Sequence, residues 1–163
     1  MELPEAKERF IQAWGQLGSN WGVSKAMAQI HALLLISPNP LSTDEIMEEL
    51  NISRGNANMN VRELLSWGLA YKKFVLGERK EYFFAEKDIW EVAKKVGRER
   101  KKRELEPVLK MAEDVKKLKG RSKQAQEFRK VNKEVERFAK KTEGALDLIS
   151  KANESTFFKW FIR

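Results

Sequence analysis

Four large apolar residues near the start of the chain, Phe10, Trp14, Leu17 and Trp21, recur at intervals of four, three and four. That period puts them on one stripe and predicts an amphipathic helix over Pro4 to Trp21. Gly15, Gly18 and Gly22 fall beside the stripe, where they weaken the helix or let a neighbour approach closely. Ser24 is suited to cap a second helix reaching Ile36, with Met27, Ile30, His31 and Leu34 on its inner face. Ser37-Pro38-Asn39-Pro40 ends it, because proline lacks an amide donor and restricts the residue before it. Ser42-Thr43-Asp44-Glu45 has the form of a capping box and opens a short helix through Leu50. Asn51-Ile52 makes a tight connection. Ser53 caps the next helix, Arg54 to Trp67, and Gly68 provides its stop.

Beyond Gly68 the period shortens to two. Ala70 to Leu76 and Lys80 to Ala85 read as strands joined at Gly77-Glu78-Arg79, rich in aromatic and β-branched residues. From Asp88 to Lys119 the chain is charged and helical in period, and Pro107 is expected to kink or split it. Gly120-Arg121-Ser122 punctuates. In the last helix Phe128, Val131, Val135, Phe138, Thr142, Ala145 and Ile149 alternate by three and four, the spacing of a coiled-coil seam. Phe157, Phe158, Trp160, Phe161 and Ile162 are expected to dock on the fold or on a partner subunit. No internal repeat is evident.

These elements predict a mainly α fold with a small β-hairpin. A winged helix-turn-helix at residues 23–87 is flanked by an N-terminal dimerisation helix at 1–22 and a C-terminal helical dimerisation region at 88–163. Composition narrows the chemistry. With no cysteine and the single histidine His31, disulfides, zinc-thiolate sites, thiol nucleophiles and histidine relays drop out. Neither a nucleophile–base pair nor a phosphate-cradling loop appears, and adjacent carboxylates such as Glu48 and Glu49 diverge on a helix. The expectation is a protein that is not an enzyme and needs no cofactor or metal. The start, MELPEAKERF, is not a secretory signal, and no apolar run approaches the ~18 residues of a membrane span. A soluble cytoplasmic protein is expected.

The net charge of +8 points weakly to a polyanionic partner. Its distribution says more: residues 1–90 hold 10 basic and 12 acidic residues, whereas residues 91–163 hold 22 and 12. The excess lies outside the winged helix, so the local pattern has to carry the argument. On the third helix of that domain, Ala57, Val61, Leu64 and Leu65 share the inner face. Gly55, Met59, Arg62 and Ser66 share the outer one, with Asn56, Asn58 and Asn60 on the flanks. Asparagine bonds adenine and arginine bonds guanine in the major groove. Ser53, Arg54 and Gly55 suit a phosphate at the helix start. Lys73, Arg79 and Lys80 on the ribbon suit the backbone or the minor groove. Double-stranded DNA is the expected partner, bound by a homodimeric transcription regulator. The competing reading is a winged-helix protein-interaction scaffold with a coiled-coil arm, which the near-neutral first half of the chain would suit.

Leu41 to Ala85 resembles the MarR type of winged helix. Ser53-Arg54-Gly55, Val61, Leu64-Leu65, Trp67-Gly68-Leu69 and Gly77-Glu78-Arg79-Lys80-Glu81-Tyr82 are similar to its GbsR branch. Trp14-Gly15 and the run Arg100 to Pro107 add to that likeness. The resemblance implies a homodimer paired through terminal helices and an effector such as a quaternary amine. Gly77 stands where many MarR-type wings carry the aspartate of an Asp-x-Arg brace. Trp14, Trp21 and Trp67 could form a cage for such an amine by cation–π attraction, or simply pack in a core. His31 reads as a core or interface histidine. The run Arg98 to Arg103 reads as a solvated helix face or as phosphate contacts beside the operator.

Overall fold

Three serines decide where three helices begin. The Ser24 hydroxyl accepts the Met27 N–H and opens α2 (Lys25–Ile36). Ser42 and Glu45 form a reciprocal capping box at α3 (Thr43–Leu50), and Ser53 accepts the Asn56 N–H at the start of α4 (Arg54–Ser66). Each side chain satisfies an amide that the first helical turn leaves without a partner. Glycine and asparagine end the elements. Asn51 takes a left-handed conformation after α3, with φ 49°, and Gly68 does so after α4, with φ 68°. In each case a following amide then bonds back to a carbonyl of the last turn, Ile52 to Met47 and Leu69 to Leu64.

The computed structural model describes residues 1–151, which divide into a unit from Met1 to Val92 and a second unit from Ala93 onward. The aromatic segment Phe157 to Ile162 lies outside the described residues. In the first unit α1 (Leu3–Asn20) lies against α2, so the N-terminal helix is part of the same body as the winged helix. Ile30, Leu33 and Leu34 of α2, Ile46 of α3, and Val61 and Leu64 of α4 are the largest fully buried side chains. Burying each such side chain stabilises the fold by about 1.5–3 kcal/mol. α2 is therefore the post around which α3 and α4 are set.

The ribbon is β2 (Ala70–Phe74) and β3 (Glu81–Ala85), antiparallel, with Lys72 opposite Phe83. Its strands stop short of the expected ends, leaving Val75 to Lys80 as the tip, where Gly77 has φ 85°. A third strand, β1 (Leu41–Ser42), which the sequence pattern does not predict, pairs with β3. Only two residues long, it has no periodicity of its own to be read. It pins the ribbon to the capping box of α3.

In the second unit Pro107 does not split the helix. α5 (Ile89–Arg100) leads through a π-helical segment, Lys101–Leu105, into α6 (Glu106–Val115) without interruption. The Glu106 N–H bonds to the Lys101 carbonyl five residues back, so proline's missing donor falls where the ladder has already changed stride. α7 (Lys123–Lys151) returns along α6. Asn132 donates to the Ala112 carbonyl at 2.9 Å, and Lys116 pairs with Glu136 at 2.9 Å. The face of α7 that meets α6 is thus Asn132, Glu136 and Ala139. The seam residues Phe128, Val131 and Phe138 stay exposed within the chain, Phe138 by 70%.

Candidate nucleic-acid interface

One side of α4 is locked in the core by Ala57, Val61 and Leu64, all buried. The other side, carrying Gly55, Met59, Arg62 and Ser66, is exposed. Ser53 and Arg54 are exposed at the start of the helix, where unpaired amides and the positive end of the helix dipole favour an anion. A helix held from behind and bare in front is what insertion into a major groove requires.

The three asparagines separate in three dimensions. Asn56 and Asn58 are half-buried beside the exposed face. Thr43 donates to the Asn58 side-chain oxygen at 3.4 Å, tying it loosely to α3. Asn60 does not join them, and its expected place among the DNA contacts is corrected: it is only 4% exposed. Its Oδ1 accepts from the Ser24 hydroxyl at 2.9 Å. Its Nδ2 donates to the Asn56 carbonyl at 2.9 Å and to Asn56 Oδ1 at 2.6 Å. Helical period put Asn60 on a flank, but the hydroxyl that draws it inward comes from α2, 36 residues away in sequence.

Asp44 is the residue that sequence reasoning missed. Its carboxylate lies 2.5 Å from Arg54 and 3.4 Å from Lys80, so one acidic side chain of α3 gathers a cation from the start of α4 and another from the tip of the wing, next to β3. The Arg54 guanidinium, bonded to the carboxylate, holds Asp44 below the ordinary carboxylate range, and Lys80 adds to the effect. The carboxylate that pairs with Lys80 of the wing thus comes from a different element, α3. A signal existed, since Asp44 sits in the capping box, but nothing local connects it to residues 54 and 80. Arg62, Lys73 and Arg79 are exposed and make no ion pair among the described residues. Lys72 is engaged with Glu81 at 2.6 Å. At the tip Phe74 and Leu76 are exposed as well.

The three tryptophans have separate surroundings. Trp14 stacks on Phe10 at 5.7 Å and donates to His31 Nδ1 at 3.2 Å. Trp21 is half-exposed at the end of α1, and Trp67, at the end of α4, donates to Glu63 at 2.9 Å. Among the described residues the rings that Trp14 contacts are Phe10 and His31, not the other two tryptophans. A cleft of about 510 Å³ between α1 and α3 is lined by Lys7, Ile11, Gln29 and Glu49 and by none of the tryptophans. His31 is buried in the core, where desolvation lowers its pKa to about 4. In the basic run, Arg100 pairs with Glu104, Arg103 with Glu99, and Lys101 with Glu143 and Asp147. Those cations are largely committed within their own unit, as a solvated helix face would be.

Residues 21–80 match the model of the MarR family. No curated protein matches the chain. A solved structure described as a transcriptional regulator is similar over 90% of this chain and 99% of its own, at 17% identity and a TM-score of 0.62. At that identity the likeness speaks for the fold, a mostly helical MarR-like winged helix-turn-helix with a small three-stranded antiparallel sheet.

Proposed function

With the winged helix-turn-helix as premise, we propose that this chain is a sequence-specific DNA-binding transcription regulator. One observation carries the reading: α4 is clamped in the core along Ala57, Val61 and Leu64 while Arg54, Gly55, Met59 and Arg62 face outward beside a basic ribbon. Asn56 and Arg62 read bases, Ser53, Arg54 and Gly55 sit against phosphate, and Lys73, Arg79 and Lys80 grip the flanking backbone. Asn58 stands at the edge of this surface. Alanine at Asn56 and Arg62 should lower the ratio of specific to non-specific affinity by about fivefold or more per site. Lys80→Ala should weaken binding to every duplex and flatten the salt dependence by about one unit. Titrations over a range of salt with specific and scrambled duplexes measure both. Specific binding that survives all three changes would remove this surface from the assignment.

Asp44 makes a separate prediction. Asp44→Asn frees Arg54 and Lys80 from a competing carboxylate, so duplex affinity at low salt should rise by on the order of two- to fivefold. The gain should vanish as salt screens the exposed pair. A loss of affinity would instead make Asp44 an essential brace.

The chain acts as a homodimer in this reading. The exposed row of Phe128, Val131 and Phe138 supports it, because a second copy of α7 would cover that row. Two recognition helices would then reach grooves one turn apart, or a small multiple of it. Sedimentation of the wild-type chain and of a Phe138→Lys variant tests the pairing. As effector we propose a quaternary amine, on the resemblance to the GbsR branch. Choline or glycine betaine should then change duplex affinity, and unchanged affinity would dismiss it.

A further inference from the structure

The recognition helix begins with a hydrogen-bond relay whose polarity is forced from one end to the other. The Ser24 oxygen accepts the Met27 N–H at 3.1 Å, and its single hydrogen goes to Asn60 Oδ1 at 2.9 Å. Asn60 Nδ2 lies 2.9 Å from the backbone carbonyl of Asn56, which can only accept. The Asn60 amide therefore has one orientation. The same Nδ2 approaches the side chain of Asn56 at 2.6 Å, so Asn56 must present its oxygen there. Turning Asn56 over would set two donors against each other at a buried residue, lowering that rotamer by on the order of tenfold or more. Asn56 Nδ2 is left with no partner among the described residues.

We propose that Asn60 is a positioning residue that fixes the Asn56 amide so that it offers DNA its donor ahead of its acceptor, favouring guanine over adenine at the base it meets. The inference rests on the DNA-reading role given to α4 above. Asparagine matches adenine only by using both ends of its amide, the oxygen for N6–H and the nitrogen for N7. Asn56 Oδ1 already accepts from the buried Asn60, so pairing with adenine has to use its second lone pair while the amide is held in place, whereas the nitrogen is free to donate. Guanine shows two acceptors, O6 and N7, and no donor on its major-groove edge, so a lone NH₂ suits it. Asn56 stands in the first turn of α4, the part of a recognition helix that comes closest to base edges.

The test selects bound duplexes from a random library with the full-length wild-type chain, Asn56→Ala and Asn60→Leu. At the base position whose preference Asn56→Ala erases, the wild type should take guanine over adenine by on the order of tenfold. Putting 7-deazaguanine there, which lacks the N7 acceptor, should weaken the wild type and leave Asn56→Ala unaffected. Asn60→Leu keeps the branched shape and cuts the relay, so adenine should rise to parity at that position while the other positions hold. A wild-type preference for adenine there, an unchanged Asn60→Leu profile, or no position responding to Asn56→Ala would each overturn the proposal. The relay is also readable in the free chain, without DNA and without a variant. The Asn60 side-chain amide protons should exchange slowly with solvent and those of Asn56 fast, and fast exchange at Asn60 would refute the relay. A chain that shows the slow exchange yet binds no duplex at low salt would leave the relay standing and defeat the regulator reading, together with the base preference drawn from it.

Discussion

Between pH 6.5 and pH 4 the chain should lose roughly 3 kcal/mol of folding stability through His31 alone. Burial lowers the His31 pKa from 6.5 to about 4. Trp14 Nε1–H donates to Nδ1, so the ring is neutral with its proton on Nε2, and Nε2 has no partner among the described residues. Protonation would put a charge beside the Trp14 donor in a site nearly closed to water. Over this range the unfolded chain binds the proton and the folded chain does not, so stability rises with pH and is complete above 6.5. It falls as the pH drops and levels off below about 4. Urea midpoints at pH 7 and pH 4.5 should differ by about 2 to 3 kcal/mol after conversion, and His31→Gln should remove most of that difference. Glutamine keeps an acceptor for Trp14 and does not titrate. Asp44, Glu45 and Glu136, all held below the ordinary carboxylate range, contribute in the same direction, but at lower pH. The comparison of wild type with His31→Gln therefore isolates the histidine. Equal slopes for the two chains would show that position 31 is not the proton acceptor.

Gly18→Ala should cost about 1–3 kcal/mol, although alanine is the better helix former. A Cβ at Gly18 would lie 2.4 Å from the Cβ of Ala28, far inside van der Waals contact. Both atoms belong to helices, so relief requires α1 and α2 to part along their length. Gly15 meets its neighbour differently. A Cβ there would come within 2.8 Å of Gln29 Cγ, part of a flexible side chain that can turn away. Gly15→Ala should accordingly be much milder than Gly18→Ala. Ala28→Gly combined with Gly18→Ala should recover most of the loss, giving a coupling energy of about 1 kcal/mol or more in a double-mutant cycle. Thermal denaturation of the four chains decides it, and additivity would mean that the two helices do not touch at these residues.

The parts of the fold that could be read from the sequence are those controlled by a few neighbouring residues. Ser24, Ser42 and Ser53 were recognised as caps because the amides they serve lie three residues away. The ribbon was recognised because alternation is a local pattern. What escaped depended on partners distant along the chain. β1 is a strand only because Phe83 and Tyr82 lie beside it. Asn60 is buried because Ser24 receives it, and Arg54 and Lys80 are neighbours because Asp44 stands between them. At Pro107 the helix runs on because the ladder changes stride over the five residues Lys101–Leu105. The seam of α7 was seen in the sequence, but the face turned toward α6 is a polar one, Asn132 and Glu136, which hydrophobic spacing cannot reveal.

Asp44 also bears on how long a bound duplex would stay. Its carboxylate lies within ion-pairing distance of Arg54 and Lys80, which makes it an internal, tethered competitor for phosphate. Each time one of these cations lets go of the backbone, the carboxylate is the nearer acceptor. Release from DNA would then proceed by stepwise exchange, one contact handed back at a time. In the proposed regulator this would trade residence time for rapid searching along DNA, and a single oxygen-for-nitrogen change at position 44 would move that balance toward slow departure.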